Sequence, residues 1–359
     1  MYIENINRET ANLYKGVGIL LIVLHNFFHN VPPVIGQNEF LFQLAVTERF
    51  VAAMSDSPTE WVRVVFSYLG HYGVQLFIFL SAYGLTRRYA IASLSYGQFL
   101  RTRFAKIYLS FVICVAVYVV LGLLKSAYLA DEKVLYWDSL LWKLLLVSNV
   151  IPGQALMPVG PWWFMPFIFQ FYLLYPLLLM ASLRFGVIFL LVIAVASMAI
   201  EWACNPVLVR HGFNINFTFV GHLPVLCAGI YFAIKPHIKI PYAAAAVALP
   251  VFIWGCYNST VWLVADFSMT IMLLVLLDCY FRRLSITGLA CRVITFFGLI
   301  SFHLFMVNGF LRSPFHLLAV FMGKWWFTIA SGLMSLLFST VFALALMRLD
   351  DKVRRLVKI

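Results

Sequence analysis

Apolar stretches of about 20 residues recur along this chain, the length a helix needs to cross the hydrocarbon of a bilayer. Ten can be read in order, at about 14–32, 67–86, 107–124, 162–181, 185–202, 215–234, 242–257, 260–280, 293–312 and 325–347. Backbone in lipid must satisfy its own hydrogen bonds, and a helix does so within one segment. The expected fold is therefore all-α, a polytopic membrane protein forming one domain over residues 1–359. Only 11% of the residues are charged, against roughly 25% in soluble domains. That excludes a cytosolic globular enzyme and leaves no room for a second soluble domain.

Loops follow from the spans. A hydrophilic outer loop covers about 33–62 and carries Glu39, Glu48, Asp56 and Glu60. A basic cytoplasmic loop covers about 87–106, and a basic tail runs over 348–359. Leu140 to Val150 is too short to cross unaided and is expected to be re-entrant or interfacial. With the N-terminus inside, 18 of the 26 Lys and Arg residues fall on the cytoplasmic side and 8 outside. Basic residues gather on that side of membrane proteins, so ten spans with both termini cytoplasmic is the predicted topology.

The net charge of +12 sits at the ends of spans, not on a basic face with interleaved aromatics, which argues against nucleic acid. The six cysteines show no metal-like spacing and read as buried thiols, although Cys204 and Cys256 on the outer side could pair. No small-residue cleavage site follows the first apolar run, so it reads as a retained span, not a signal peptide. No inverted repeat relates the halves, as it does in many carriers.

The first span is unusual. YKGVGILLIVLHNFFH opens on Lys15 and then meets His25, Asn26 and His29 inside the membrane. Such groups are costly in hydrocarbon unless they find partners or a wet cavity. Imidazole suits proton transfer near neutral pH, and His25 stands about 15 Å above Lys15 at 1.5 Å per residue. The bland reading is a packed histidine bonded to a backbone carbonyl. A metal pair at His25 and His29 lacks any carboxylate or cysteine on the same helix, so no metal is expected. Glu201, His222, Asp266 and Asp278 are further polar groups in apolar stretches; Asp266 and Glu201 near outer ends could orient an imidazole or bind a sugar. Trp162 and Trp163 belong either to an aromatic belt or to a stacking platform for a sugar.

The strings KGVGILLIVLH, GVQLFIFLSAYGLTRR, FLRTRFAKIYLSF, WWFMPFIFQFYLLYPLL and ISFHLFMVNGFL occur in the order and approximate spacing of the acyltransferase type 3 family. The chain resembles that family over nearly its whole length. The resemblance implies a ten-helix fold, a cytoplasmic acyl-CoA donor and an acceptor presented at the outer side, commonly an envelope glycan. It also implies a cation followed by a histidine in the first span, and an Arg-x-Arg after the second. Arg101 and Arg103 form that pair, and guanidinium forks suit phosphates, so they are the expected CoA ligands, with Lys15 at the donor entrance. Two positions depart from the pattern, since Asn26 and Asn308 stand where relatives have histidine. A one-residue shift turns a helical side chain by about 100°. Lys15, Asn26 and His29 then share a face, with His25 beside it and His303 near Asn308.

The expected activity is transfer of an acyl group, acetyl by preference, from acyl-CoA to a hydroxyl of an envelope polysaccharide or glycolipid at the cell's inner or plasma membrane. His25 is the first candidate for the base and His29 the second, with Asn26 between them. Asn308 is assigned to the acyl or oxyanion group, and Trp163 and Asp266 to the acceptor. No resident cofactor is expected. The alternatives are a small-solute transporter and an inactive relative acting as an assembly partner.

Overall fold

A computed structural model describes residues 1, 6–32, 35–90, 95–129, 135–283 and 288–357. Pro33, Asp131, Glu132 and Lys358, which the sequence reading puts in loops and the tail, lie outside the described residues. The first helices are α1 (Arg8–Phe28), α2 (Leu44–Asp56), α3 (Trp61–Leu69), α4 (Gly73–Tyr89), α5 (Tyr96–Leu129) and α6 (Trp137–Leu144). Next come α7 (Phe164–Phe185), α8 (Ile188–Arg210), α9 (Leu223–Ile234), α10 (Ala243–Tyr257) and α11 (Ser259–Trp262). The chain closes with α12 (Ala265–Phe281), α13 (Leu289–Leu311), α14 (Ser313–Met322) and α15 (Trp325–Val357). No β-strand occurs among the described residues.

Seven helical stretches are long and apolar enough to cross a bilayer: α1, Pro58–Tyr89, α5, Gly160–Phe185, α8, α13 and α15. The protein is a multi-pass, all-helical membrane protein. Ten spans are not reached on length and composition, because α9, α10 and α12 have only 12, 15 and 17 residues. At 1.5 Å per residue those are about 18–26 Å long, short of the roughly 30 Å hydrocarbon core.

The contacts sort the helix ends into two groups. At one end the Met1 amine bonds the Ile240 carbonyl at 2.9 Å, Tyr242 bonds Asp278 at the foot of α12, and Arg354 reaches the Lys106 carbonyl. At the other, Thr47 bonds the Cys256 carbonyl at the end of α10, and Asp266 at the head of α12 bonds Gln75. So α10 and α12 each run from one end group to the other.

At the centre lies α1. Asn7 caps it by accepting from the Thr10 amide at 2.9 Å, satisfying one of the orphan N–H groups of the first turn. Glycines let its neighbours approach backbone to backbone, the usual route to tight packing in lipid. A Cβ on Gly298 of α13 would lie 1.9 Å from the Asn12 carbonyl oxygen, and one on Gly16 would lie 1.9 Å from that of Ile294. The Pro58–Tyr89 stretch is 72% buried within its most apolar window, whereas the equivalent window of α8 is 28% buried. The inner pair of α1 and α4 is thus wrapped by helices whose outward Leu, Val and Phe side chains fit lipid, as Leu191 and Val192 do.

Some loops hold more structure than their polarity indicates. The segment 33–62 carries α2, and Leu140–Val150 begins as α6 and continues as turns. The basic loop 87–106 is largely helix, since α4 runs to Tyr89 and α5 starts at Tyr96. Basic side chains can snorkel past the hydrocarbon while the helix continues. Cys204 is exposed and Cys256 buried, and both are free thiols.

Because added methyl groups at α1 and α13 would overlap backbone oxygens that cannot retreat, Gly16→Ala and Gly298→Ala are expected to cost at least ~1–3 kcal/mol each. Gly84→Ala, with open space around its Cβ, should be neutral. Thermal unfolding of the detergent-solubilised variants, followed by size-exclusion profile, checks the contrast.

Candidate active site

One stripe of α1 carries the polar groups. Arg8, Asn12 and Lys15 line a cavity at the end that holds Met1, while His25, Asn26 and His29 line a second pocket at the opposite end. The spacing of three, four and seven residues is that of one helix face. His25, at about 80° from Lys15 by helical geometry, still lies on this wall, so the shifted position does not remove it from the pocket.

The cavity at the Met1 end, termed the inner cavity for its place in the bundle and the opposite one the outer pocket, measures about 820 Å³, within the range of small-molecule clefts. On α5 its wall is Arg103, Lys106, Ile107 and Ser110, again a single face. Arg101 does not line it and is exposed. Two residues along a helix turn a side chain by about 200°, so an Arg-x-Arg pair cannot put both forks on one wall. The Arg103 guanidinium lies over Phe99 at 5.7 Å and Tyr89 at 5.9 Å, with its Nε buried and without a partner among the described residues. Asp350 is taken up by its own neighbours: Ser110 donates to it at 2.7 Å, Arg354 pairs with it at 3.0 Å, and His303 lies at 3.3 Å. That leaves Arg8, Lys15, Arg103 and Lys106 without a carboxylate partner among the described residues. With Asp351 the other acid on the wall, the cations still outnumber the carboxylates, so the cavity is electropositive.

The outer pocket is smaller, about 150 Å³. His25 and His29 stack with ring centroids 4.7 Å apart, and His71 meets His25 edge-on at 5.3 Å. His25 Nδ1 lies 2.9 Å from the Ser67 carbonyl oxygen, and His29 Nδ1 lies 2.8 Å from the His25 carbonyl oxygen. A carbonyl only accepts, so each Nδ1 carries the proton and each neutral ring keeps its lone pair on Nε2. The Gln37 Oε1 stands 3.2 Å from His25 Nε2, the contact an imidazolium donates; a half-turn of the amide offers NH₂ to the neutral ring. Backbone bonding of Nδ1, the bland reading of a membrane histidine, here sets the tautomer of two pocket-lining rings.

Asn26 Nδ2 donates to Asn308 Oδ1 at 2.9 Å, and Asn308 in turn donates to the Leu304 and Phe305 carbonyls. Asn308 is buried behind Asn26 and holds it, while Asn26 lines the pocket. Trp163 is 3% exposed and on the pocket wall, stacked on His222 at 5.5 Å; it is not a lipid-facing belt residue. Trp162 is fully buried and donates to the Met306 carbonyl. Asp266 stands one layer back, accepting from Gln75 at 2.6 Å with His222 Nδ1 at 3.7 Å. Glu201 accepts from Asn216, which with Asn214 also donates to the Phe40 carbonyl. These bonds pin the loop that carries Glu39 and Phe40 onto the pocket. Desolvation there, with the nearby Asp266, holds the Glu39 carboxyl well above the usual carboxylate range.

Ile22, Val74 and Phe305 border both cavities. Residues the sequence reading passed over are Gln37, His71 and Arg312, all on the outer pocket wall. His71 sits two residues before the GVQLFIFLSAYGL string and Arg312 one turn beyond Asn308, so adjacency to those motifs was the available signal. Among the described residues no cluster of His, Cys, Asp or Glu could hold a metal ion.

A family model described as an acyltransferase domain, Acyl_transf_3, matches residues 9–347. No curated protein and no solved structure matches the chain.

One further group shapes the pocket from behind. Lys143 on α6 is fully buried and donates to the Ala155 carbonyl, tethering the turn that supplies Leu156 and Pro161 to the wall. Burial pushes its amine down to about 7 from 10.5. Between those values the unfolded chain binds the proton and the folded chain does not, so this lysine makes stability rise with pH over that window. The Tm of the wild type is expected to climb between pH 7 and about 10, and Lys143→Met should flatten that climb in the same scanning experiment.

Proposed function

The chain belongs to the acyltransferase family whose model spans residues 9–347, and we propose that it is a membrane O-acyltransferase using cytoplasmic acyl-CoA to acylate a hydroxyl of an envelope saccharide or glycolipid. The observation that carries this reading is the pair of cavities meeting at Ile22, Val74 and Phe305, electropositive at one end and imidazole-lined at the other. In this reading α9, α10 and α12 complete ten crossings, both termini are cytoplasmic, and the membrane is the cell's inner or plasma membrane. The clustering of 18 of 26 Lys and Arg residues on one side supports it.

The donor's phosphates then lie against Arg103, Lys106, Lys15 and Arg8, and its thioester points along the cavity to the junction. The acceptor hydroxyl enters the outer pocket. Nε2 of His29 or His25 takes its proton as the oxygen attacks the thioester carbonyl, with Gln37 turning to accept from the His25 imidazolium. The C–S bond breaks as the tetrahedral intermediate collapses, and the proton returns to the sulfur, giving the ester and free CoA. Asn26, locked by Asn308, has a second amide N–H for the oxyanion, a type of contact that strengthens as charge develops. The acyl group, acetyl by preference, would cross an apolar junction.

Removing a general base typically costs 10²–10⁴-fold. The double variant His25→Ala/His29→Ala is expected to lose at least about 100-fold in acyl incorporation, read by mass spectrometry of the glycan and by release of free CoA thiol. Full incorporation in the double variant would remove the proposed base, and solute flux without thioester consumption would favour a carrier. Loss of a charge-assisted phosphate contact is worth about 10–100-fold in affinity. Arg103→Ala is therefore expected to weaken CoA binding by that order and Arg101→Ala to leave it nearly unchanged, in titrations of the purified protein.

A further inference from the structure

Two side chains on the outer pocket wall have polar atoms the fold does not use. His71 is 3% exposed, and neither ring nitrogen finds a hydrogen-bond partner of good geometry among the described residues. Arg312, immediately after α13, lines the same pocket with its Nη1 enclosed and unpartnered among the described residues. An enclosed polar atom left unbonded is costly, and a guanidinium without a counter-charge more so. Folds rarely retain two such groups beside one cavity unless something else completes them.

The two differ in what they ask of a ligand. A neutral imidazole offers one N–H and one lone pair, which matches the donor and acceptor faces of a hydroxyl. Guanidinium presents donors only, in a planar fork that fits a carboxylate or a phosphate. The neighbouring acid does not answer it: Glu39 lines the same wall, yet no ion pair involving Arg312 occurs among the described residues. The guanidinium is thus left without a counter-charge in contact.

We propose that the outer pocket is an acceptor subsite for an acidic sugar, with Arg312 holding an anionic substituent, carboxylate or phosphate, and His71 bonding a ring hydroxyl. This rests on the acyltransferase reading and narrows its acceptor class. Arg312 is a specificity residue and takes no part in bond making.

The test uses the full-length protein in nanodiscs and three probes: glucose, glucuronate and glucose 6-phosphate. Glucuronate or glucose 6-phosphate is expected to bind about 10–100-fold more tightly than glucose, the preferred one identifying carboxylate or phosphate. Arg312→Gln should abolish that discrimination and leave glucose affinity unchanged, while Arg312→Lys keeps part of it. His71→Phe should weaken all three alike. Equal affinities in the wild type, absence of binding by all three, or discrimination that survives in Arg312→Gln would each overturn the proposal. CoA titration of the same samples reports folding and separates the two readings. Retained CoA binding without anion discrimination sinks the acidic-sugar subsite alone; discrimination without CoA binding or thioester turnover upholds the subsite and sinks the acyltransferase reading.

Discussion

A helix in a membrane bundle carries imidazoles at low cost when polar partners or a cavity answer them, and this requirement organises the molecule. α1 brings His25 and His29 to one end of a membrane bundle, where the Ser67 carbonyl and the helix's own His25 carbonyl accept from their Nδ1 atoms. The first of these bonds needs the 3₁₀ turn and helix start around Gly70 and Gly73 to lie against α1. Both glycines do so because a Cβ on either would sit under 3 Å from an α1 backbone oxygen. The close approach of small residues and the chemistry of the rings are therefore one constraint. Widen the contact between α1 and the corner joining α3 to α4, and His25 loses the bond that defines its tautomer.

The polar groups around that centre separate by sign and by end. Cations without carboxylate partners gather on α1 and α5 at the inner end, and Asp350 is neutralised locally by Arg354, Ser110 and His303. Toward the outer end, amides predominate: Asn26 with Asn308, Gln75 with Asp266, and Asn214 and Asn216 on the Phe40 carbonyl. Amide networks orient without adding charge, which suits the proton transfer proposed for this site.

Much of this was legible in the chain. Apolar length gave the helical class, and the polar stripe on the first span gave the wall of the pocket, because 3.6-residue periodicity converts spacing directly into direction. Periodicity also contained the separation of Arg101 from Arg103, since two residues on a helix cannot face one cavity. Tertiary placement was not legible. His71 and Arg312 lie on different helical segments from His25, and only the packing of α4 and α13 against α1 brings them together. Asn308 and Asp266 stand one layer behind the pocket wall for the same reason: sequence shows that an amide or an acid is present, and packing decides whether it lines a wall or props another residue. The short helices α10 and α12 illustrate the limit of counting by length, since their end contacts, and not their hydropathy, reveal the direction in which each runs.

The three residues common to both cavities, Ile22, Val74 and Phe305, carry no polar side-chain atom. A septum of branched and aromatic hydrocarbon strips hydration shells, and an ion that cannot shed its water does not cross it. In the proposed reaction an uncharged acyl group faces no such barrier. Under that proposal the same trio would act as an electrical insulator, letting carbon pass between compartments while the membrane keeps its voltage.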